Sequence, residues 1–443
     1  MEPGSSHLPP ERADRFTKPF ARFLKVEAAT GVLLAVAVVA ALIVSNSPWS
    51  QPFLRFWETP VGLTWGAVDF SRPLRHWIND GLMTLFFFVV ALELKRALVR
   101  GELRNRRMAA FSFAGALGGM LAPASIYLGL MVGKSGMHGW GTVMATDTAF
   151  VMGALALLGS RIPSSLRLFL LSLAIFDDVG AILVVAVGYG SALHWPALVL
   201  AAGLLVTVYG AARAGIRGVP VYFLLGVAVW LAFDASGIHP TVAGVFLGLM
   251  TPAREWVSDE RLHAMFERVI AYPKGDHWSG DTPDRADLRR AGRAAKEALS
   301  PVERLELTMH PWSSFVIMPI FALANAGVRI SWADIGDPVL VAVFLGLVLG
   351  KPAGVLAASW FAVRVGVAAR PETLKWSVLA AGSVLTGIGF TMSLFRAGLA
   401  FTPAMLSSAK IGIVAASVTA GATGLLMLFW LTFPERTRPE TDS

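Results

Sequence analysis

Apolar runs of about twenty residues recur along this chain, and they constrain its fold more than any other feature. A helix of that length, with a rise of 1.5 Å per residue, crosses the hydrocarbon core of a bilayer, which is about 30 Å thick. Since backbone polar groups in a bilayer need internal partners, repeated runs predict a bundle of membrane-spanning helices. The composition agrees, because 55% of the residues are hydrophobic and only 15% are charged, against roughly 25% in soluble proteins.

Twelve such runs can be placed, so the predicted fold is an all-α integral membrane protein with about twelve transmembrane helices. The predicted spans are residues 28–46, 77–97, 107–133, 140–158, 165–188, 196–212, 219–235, 237–252, 311–327, 338–363, 374–397 and 403–433. They form a transmembrane domain over 28–433, between an N-terminal arm at 1–27 and a C-terminal tail at 434–443. Spans seven and eight are short and nearly contiguous, which leaves a count of eleven open.

The distribution of lysine and arginine predicts the orientation of the bundle. With the N-terminus inside, 30 of the 38 basic residues fall in cytoplasmic segments and 6 in external loops, while Lys351 and Lys410 lie within spans. Cytoplasmic loops of membrane proteins have such an excess of basic residues. Both termini are therefore expected in the cytoplasm. The same rule accounts for the net charge of +8 without a nucleic-acid partner.

Two long loops separate the predicted spans. Residues 47–76 form an external loop rich in Trp, Phe and Pro, and its stretch LRFWETPVGLTWGAV is compatible with a small hairpin. Residues 253–310 form a cytoplasmic loop of mixed charge. Within it, WVSDERLHAMFERVIAY has apolar residues at helical spacing, which predicts an amphipathic helix against the membrane or the bundle. The chain contains no cysteine, which excludes disulfides and thiolate chemistry.

Four ionisable side chains stand out within the predicted spans, because such residues are costly in a membrane and usually functional. Asp147 is in span four, the adjacent Asp177 and Asp178 are in span five, and Lys351 is in span ten. Asp177 lies about 18 Å along its helix from the cytoplasmic end, close to mid-membrane. Adjacent helical residues point about 100° apart, so the two aspartates are expected to have different roles. Lys351 can pair with one carboxylate, and the other, with Asp147, offers oxygen ligands to a small hard cation.

These charges allow several interpretations. In the first, the four residues form structural ion pairs between helices. Because there are three carboxylates and one lysine, at least one carboxylate would still have to be protonated, hydrated or bound to a cation. An intramembrane aspartyl protease would use two aspartates on neighbouring helices, and Asp147 and Asp177 are candidates, although no GxGD stretch surrounds them. A transporter of another substrate, such as an organic anion, would favour arginine near mid-membrane, where we find none. Cation transport is the interpretation that we favour.

Two of the predicted spans contain interruptions. MATDTAF at 144–150 places polar residues in span four, and LTGIGFTMS places Gly387 and Gly389 in span eleven. Facing helix ends need an anion at their N-termini and a cation at their C-termini, which Asp147 and Lys351 can supply. Spans three to five and ten to twelve begin on opposite sides, and each trio has its interruption in the middle helix. This pattern is typical of the inverted-topology repeats of secondary transporters.

Several motifs occur in order between about residues 30 and 430. They are TDTAF at 146–150, LAIFDDVGAI at 173–182, SGIHPTVAGV at 236–245, FALANAGV at 321–328, LGKPAG at 349–354 and GIGFTMSLF at 387–395. Together they resemble the NhaA family of sodium/proton antiporters. The resemblance implies electrogenic, pH-regulated exchange of sodium or lithium for more than one proton across the bacterial inner membrane, without a cofactor. It also implies that interrupted helices four and eleven cross near the site.

The resemblance further implies roles for individual residues. Asp178 is expected to be the main cation ligand, with Asp177 and Thr146 beside it. Asp177 is expected to exchange a salt bridge with Lys351 during the transport cycle, and Asp147 to balance the helix ends and tune binding. Family positions linked to structure or to the pH response are matched by Asp80, Glu93, Arg96, His239 and Glu306.

Two positions depart from the family pattern. Ala97 stands where the best-known members have an acidic residue, and Leu307 stands where they have a second histidine. Both lie in the region that resembles the cytoplasmic pH-sensing cluster, so an altered pH profile is expected around an intact central site. The loop at 253–310 is longer than the family pattern suggests. The resemblance also implies a homodimer to which the external 47–76 loop contributes.

Overall fold

The structure, a computed structural model, is predominantly helical. It describes residues 27–65, 68–99, 105–188, 190, 192–216, 218–271, 283–330 and 336–432. The predicted N-terminal arm, apart from Glu27, and the predicted C-terminal tail lie outside these residues.

The helices of the described residues follow one another along nearly the whole chain. In order, they are α1 Glu27–Ser45, α2 Ser50–Trp57, α3 Met83–Val99, α4 Arg106–Met131, α5 Thr148–Leu158, α6 Ser164–Gly188, α7 Trp195–Arg213, α8 Val219–Ser236, α9 Thr241–Met250, α10 Asp259–Ile270, α11 Pro283–Glu297, α12 Pro301–Trp312, α13 Met318–Asn325, α14 Pro338–Leu345, α15 Lys351–Arg364, α16 Trp376–Leu385, α17 Phe390–Ala400 and α18 Pro403–Leu431. Segments of π-helix precede α3, α13 and α15, at Trp77–Leu82, Ser313–Ile317 and Gly346–Gly350. A 3-10 helix at Met137–Val143 precedes α5.

Among the described residues, seven helical segments are long and apolar enough to cross a membrane. They are Arg106–Met131, Met137–Leu158, Ser164–Ala186, Trp195–Arg213, Pro301–Asn325, Pro338–Arg364 and Pro403–Leu431. The bent pairs α1–α2 and α16–α17 raise the number to nine, and α8 and α9 are shorter apolar helices. Predicted span two coincides with the π-helix at 77–82 and α3. The protein is therefore a multi-pass membrane protein, and helix is present at each of the twelve predicted spans.

Span nine begins ten residues before its predicted start, and this is the largest displacement. Ser300 and Glu303 form a capping box, in which the Ser300 hydroxyl accepts from Glu303 N and the Glu303 carboxylate accepts from Ser300 N. This box satisfies backbone N–H groups that have no intrahelical partner, and it starts α12 at Pro301. The region expected as a cytoplasmic loop thus contains α10, α11 and most of α12. Helix α10 lies at the place of the expected amphipathic helix.

The region expected as an external loop contains α2 and a two-stranded antiparallel sheet. Strands β1, Pro60–Trp65, and β2, Val68–Pro73, pair so that Pro60 lies opposite Pro73 and Trp65 opposite Val68. The hairpin thus spans 60–73, whereas the stretch considered in the sequence is 54–68, and its first four residues belong to α2.

The described residues fall into two compact units. The first comprises those of Met1–Arg75, Ala110–Asp177 and Ser314–Ser443, and the second comprises those of His76–Ala109 and Asp178–Ser313. The division passes through α6, between Asp177 and Asp178.

Glycine permits close helix packing within the first unit. Helix α1 packs against α5 and α13, and α18 packs against α14 and α16. A Cβ atom on Gly31 of α1 would lie 2.8 Å from Gly153 Cα of α5, and one on Gly118 of α4 would overlap the carbonyl oxygen of Gly354 in α15. These helices therefore approach at distances that no side chain allows.

The second unit is also built on close helix contacts. Helix α3 packs against α9 and α12, and α7 packs against α8. A Cβ atom on Gly244 of α9 would overlap the carbonyl oxygen of Thr84 in α3. Helix α8 ends at Gly237, whose φ of 84° lies in the left-handed region that favours glycine.

Candidate functional site

Two interrupted helices of the first unit meet at their interruptions. One interruption lies between the 3-10 helix at 137–143 and α5, and the other lies between α16 and α17, whose axes differ by 48°. Asp147 N donates to Ile388 O at 2.7 Å, and Thr146 Oγ1 donates to Thr386 O at 3.2 Å. Backbone groups released by each interruption thus find partners in the other, as buried polar groups require.

Gly387 and Gly389 lie in the second interruption, where the chain has little space. A Cβ atom on Gly387 would lie 2.6 Å from Leu347 O, and one on Gly389 would lie 3.1 Å from Ala145 O. The glycines that the sequence analysis associated with an interrupted helix therefore permit close approach of neighbouring backbone.

The Asp147 carboxylate caps the N-termini of two helices. Its Oδ1 accepts from Phe150 N of α5 at 3.2 Å, and its Oδ2 accepts from Thr391 N of α17 at 2.9 Å and from the Thr391 hydroxyl. Asp147 is fully buried. A single carboxylate therefore satisfies backbone donors at two positive helix ends, which is a stabilising arrangement for an anion.

Lys351 and Asp177 form a fully buried ion pair in the same unit. Lys351 Nζ lies 2.7 Å from Asp177 Oδ2, and both side chains are 0% exposed. Thr146 N donates to the same oxygen at 2.8 Å. Lys351 also donates to the carbonyl of Met144, just beyond the C-terminal end of the 3-10 helix. The ammonium group thus faces both a carboxylate and a negative helix end.

The local backbone around Lys351 is irregular. Lys351 begins α15 immediately after the π-helical segment Gly346–Gly350. Such segments often occur at functional sites, because the extra residue in the turn changes the direction of the following side chains.

The second Asp177 oxygen has a different environment. Asp177 Oδ1 is buried and accepts no hydrogen bond from the part of the chain that the structure describes. Asp178, the next residue in α6, is 4% exposed. A buried carboxylate oxygen without a protein donor requires a proton, a water or a cation. The arrangement can therefore bind a small cation or a proton.

A cluster of charged residues joins α3 to α12 in the second unit. Arg96 Nε lies 2.9 Å from Glu306 Oε2, and His310 Nε2 lies 3.7 Å from Glu93 Oε1. The structure thus brings together three residues that the sequence analysis named, and it adds His310. Leu307, which departs from the family pattern, is 66% exposed beside this cluster.

The remaining named residues of the second unit, Asp80 and His239, also lie together. His239 Nε2 lies 3.7 Å from Asp80 Oδ1, and His239 Nδ1 lies 2.9 Å from Thr241 Oγ1. Both Asp80 and the His239 side chain are largely buried.

Two polar side chains of the first unit have roles that the sequence did not predict. Thr391 belongs to the GIGFTMSLF motif, but the motif alone does not show that its side chain bonds to Asp147. Arg396 lies inside predicted span eleven, near its external end, and its burial was not predicted. Helix α17 extends to Ala400, Arg396 is 2% exposed, and its Nη1 donates to Gly141 O at 2.9 Å.

Comparison with known proteins establishes the family. The family model described as Na+/H+ antiporter 1 matches residues 21–428. The chain belongs to this family. The membership predicted from the motifs is confirmed, and so is the predicted fold class.

Relatives of this antiporter family match the chain over nearly its whole length. The Na(+)/H(+) antiporter NhaA of Rhizobium meliloti (strain 1021) is 59% identical over 436 residues, covering 98% of this chain and 100% of the relative. Antiporter NhaA 1 of Acidiphilium cryptum (strain JF-5) is 57% identical, covering 98% and 96%. Antiporter NhaA 2 of Vibrio vulnificus (strain CMCP6) is 48% identical, covering 97% and 96%.

A solved structure shows the same fold at low sequence identity. The sodium proton antiporter MjNhaP1 from Methanocaldococcus jannaschii is 11% identical, with a TM-score of 0.51, and the match covers 94% of this chain and 96% of that chain. The arrangement of helices is therefore shared beyond the NhaA relatives.

Proposed function

We propose that this protein is a secondary active transporter that exchanges sodium, or lithium, for protons. The observation that supports this best is the environment of Asp177. One oxygen binds Lys351 and Thr146 N, the other is buried without a described protein donor, and Asp178 follows directly in the helix. The names of the antiporter relatives support the same activity.

The cation site in this proposal consists of oxygen atoms. Asp178 is the main ligand, with Asp177 and Thr146 beside it, because sodium and lithium prefer hard oxygen donors. Thr146 Oγ1 donates its proton to Thr386 O, so its lone pairs are available to a cation. Asp147, which caps α5 and α17, keeps the two interruptions in place and tunes binding without being a ligand itself.

Exchange follows from competition for the same carboxylates. Sodium requires deprotonated carboxylate oxygens, so a proton and a sodium ion compete for the same groups. Protons therefore displace sodium, and sodium displaces protons. With access alternating between the two sides, each turnover moves sodium one way and protons the other. When sodium binds, Asp177 exchanges Lys351 for the cation.

Electrogenic transport is part of the proposal, because more than one proton is moved for each sodium ion. The direction that moves sodium into a vesicle then carries net positive charge out. An inside-positive membrane potential is expected to accelerate that direction, which a potassium gradient with valinomycin can impose.

The pH response is proposed to depend on the charged cluster between α3 and α12. Arg96 pairs with Glu306, and Glu93 lies near His310. Ala97 and Leu307 directly follow two members of this cluster in the chain. Since each replaces an ionisable residue of the family pattern, the pH profile of exchange is expected to differ from that of the best-known members. Asp80 and His239 are proposed to have structural roles in the same unit.

The contacts of the aspartates do not favour an intramembrane protease. Such an enzyme requires two carboxylates that activate one water molecule. Asp147 instead accepts hydrogen bonds from Thr391 and Phe150, and Asp177 accepts from Lys351 and Thr146. The two carboxylates therefore have separate partners.

Location and assembly are also proposals. The excess of basic residues in alternate loops supports a bacterial inner-membrane protein with both termini in the cytoplasm. The hairpin β1–β2 is proposed to contribute to a homodimer through the external 47–76 loop. Cross-linking of cysteines introduced at Val61, which is 47% exposed, tests this assembly.

Proton flux in sealed proteoliposomes tests the function. Vesicles with an acidic interior and a trapped pH dye receive external sodium, lithium or potassium. Sodium and lithium are expected to make the interior alkaline, and potassium is not. Exchange requires a sealed vesicle, whereas proteolysis would persist in detergent.

Two variants assign the site in the same assay. Asp178→Asn is expected to abolish the sodium response, and Asp259→Asn, on an exposed residue of α10, is expected to retain it. No response of the wild type to any cation would contradict the proposed function. A full response of Asp178→Asn would contradict the assignment of the main ligand.

A further inference from the structure

A group of histidine and aspartate side chains in the second unit has no role in the proposed exchange. His76 ends a helical turn at Leu74–His76, and Asp80 lies in the π-helix Trp77–Leu82 that follows. Asp234 lies in the last turn of α8. Residues separated by about 150 positions in the chain are thus brought to one place.

The ligand atoms of this group are close together. One nitrogen of His76 and one carboxylate oxygen each of Asp80 and Asp234 all lie within 4.8 Å of one another. His76 Nε2 and Asp80 Oδ2 are 3.0 Å apart. Around a tetrahedral Zn²⁺, with bonds of about 2.0–2.2 Å, ligand atoms are separated by roughly 3.4 Å. Small side-chain rotations are therefore enough to form a metal site.

His239 approaches the same carboxylate from another side. Its Nε2 lies 3.7 Å from Asp80 Oδ1, while its Nδ1 lies 2.9 Å from Thr241 Oγ1. This imidazole is 9% exposed, and the Asp80 side chain is 8% exposed. A carboxylate that is oriented by a second buried group is a better metal ligand than a mobile surface carboxylate.

We propose that His76, Asp80 and Asp234 bind a divalent transition-metal cation of the Zn²⁺, Ni²⁺ or Co²⁺ class, with His239 orienting Asp80. The mixture of imidazole and carboxylate suits these borderline ions, whereas Mg²⁺ and Ca²⁺ prefer sites made of oxygen alone. Two carboxylates also balance the charge of a divalent ion.

This site shares no residue with the proposed sodium site. In the predicted orientation, residue 76 begins span two and residue 234 ends span seven, and both ends face the outside. The metal would therefore enter from the external solution. This inference does not depend on antiport activity, since it concerns binding alone.

The surface pair His263–Glu267 is a matched control within the chain. It has the same i,i+4 spacing as His76 and Asp80 and a similar separation, with His263 Nε2 at 3.3 Å from Glu267 Oε1. Its side chains are 80% and 68% exposed, and they belong to no group of three ligands among the described residues. It should bind no metal tightly, because it offers only two mobile ligands.

Calorimetric titration of the purified full-length chain with Zn²⁺, without a polyhistidine tag, tests the proposal. The wild type is expected to bind one Zn²⁺. His76→Gln and Asp234→Asn are each expected to weaken binding about tenfold or more, while His263→Gln leaves it unchanged. Thermal melting provides a second readout, because a ligand of the folded state stabilises it. Zn²⁺ should raise the Tm of the wild type and of His263→Gln more than that of either site variant.

Several outcomes would overturn the proposal. One is the absence of saturable Zn²⁺ binding by the wild type. Another is a Zn²⁺ affinity of His76→Gln and Asp234→Asn equal to that of the wild type. A third is a loss of Zn²⁺ binding in His263→Gln alone. Melting of each variant without metal shows whether it is folded. Because His76 and Asp234 are both partly exposed, at least one of the two site variants is expected to fold as the wild type does.

Discussion

Lys351 Nζ and Asp177 Oδ2 lie 2.7 Å apart, and neither side chain is exposed to solvent. Desolvation of two charges is costly, and it is offset here by their mutual attraction and by hydrogen bonds from Thr146 N and to Met144 O. The buried site is therefore stable when Lys351 and Asp177 are both charged or both neutral, and it is destabilised when only one of them is charged. A transporter can use such a pair, because a cation that binds Asp177 competes with Lys351.

Removal of the lysine alone is expected to destabilise the protein. Loss of one partner of a buried ion pair costs about 3–5 kcal/mol, so Lys351→Met should lower the Tm in detergent by several degrees. The double variant Lys351→Met/Asp177→Asn leaves no uncompensated charge at the pair and should melt above Lys351→Met. A Tm of Lys351→Met equal to that of the wild type would show that the ion pair does not contribute to stability.

Removal of the Asp147 carboxylate should destabilise the interrupted helices more than removal of one of its donors. Thr391→Val removes one hydroxyl hydrogen bond, typically about 0.5–1.5 kcal/mol. Asp147→Ala leaves donors of both α5 and α17 without an acceptor. The Tm is expected to be highest for the wild type, lower for Thr391→Val and lowest for Asp147→Ala. The reverse order of the two variants would contradict the dual-cap role of Asp147.

The close approach of α4 and α15 predicts a position-specific effect of alanine. Gly118→Ala places a Cβ against the carbonyl oxygen of Gly354, and overpacking of this kind costs about 1–3 kcal/mol. Gly129→Ala, on the same helix, meets no atom within 4 Å. Thermal melting should show a loss for the first variant and none for the second. Equal Tm values for Gly118→Ala and Gly129→Ala would mean that α4 and α15 can move apart without a loss of stability.

The buried guanidinium of Arg396 is expected to contribute to stability. Arg396→Met keeps much of the apolar volume but leaves Gly141 O without this donor, which costs about 1–3 kcal/mol. Arg289→Met, on an exposed position of α11, is the control and should melt as the wild type does. Similar Tm values for both variants would indicate that the Gly141 carbonyl finds another donor.

The sequence made the central charges predictable, because Asp147, Asp177, Asp178 and Lys351 stand out in apolar runs. It did not show that Asp147 binds Thr391, since this contact joins residues 244 positions apart and depends on how the interruptions pack. The start of α12 at Pro301 could have been predicted from the sequence, because Ser300 and Glu303 have the spacing of a capping box.

Two other features depended on tertiary structure. The burial of Arg396 depends on the contact of α17 with the 3-10 helix at 137–143, which is far away in the sequence. His76 and Asp80 are four residues apart, but Asp234 lies more than 150 positions further along the chain, so the group of three could not be predicted from the sequence.

Sodium binding by the purified protein at different pH values tests most directly whether protons and sodium compete for Asp177 and Asp178. Radioactive sodium is bound at equilibrium from about pH 6 to about pH 9. If one proton competes, the apparent Kd should rise by up to about tenfold for each unit that the pH falls, and Asp178→Asn should not bind sodium. A Kd that does not change with pH, or an unchanged Kd in Asp178→Asn, would contradict competition at these carboxylates.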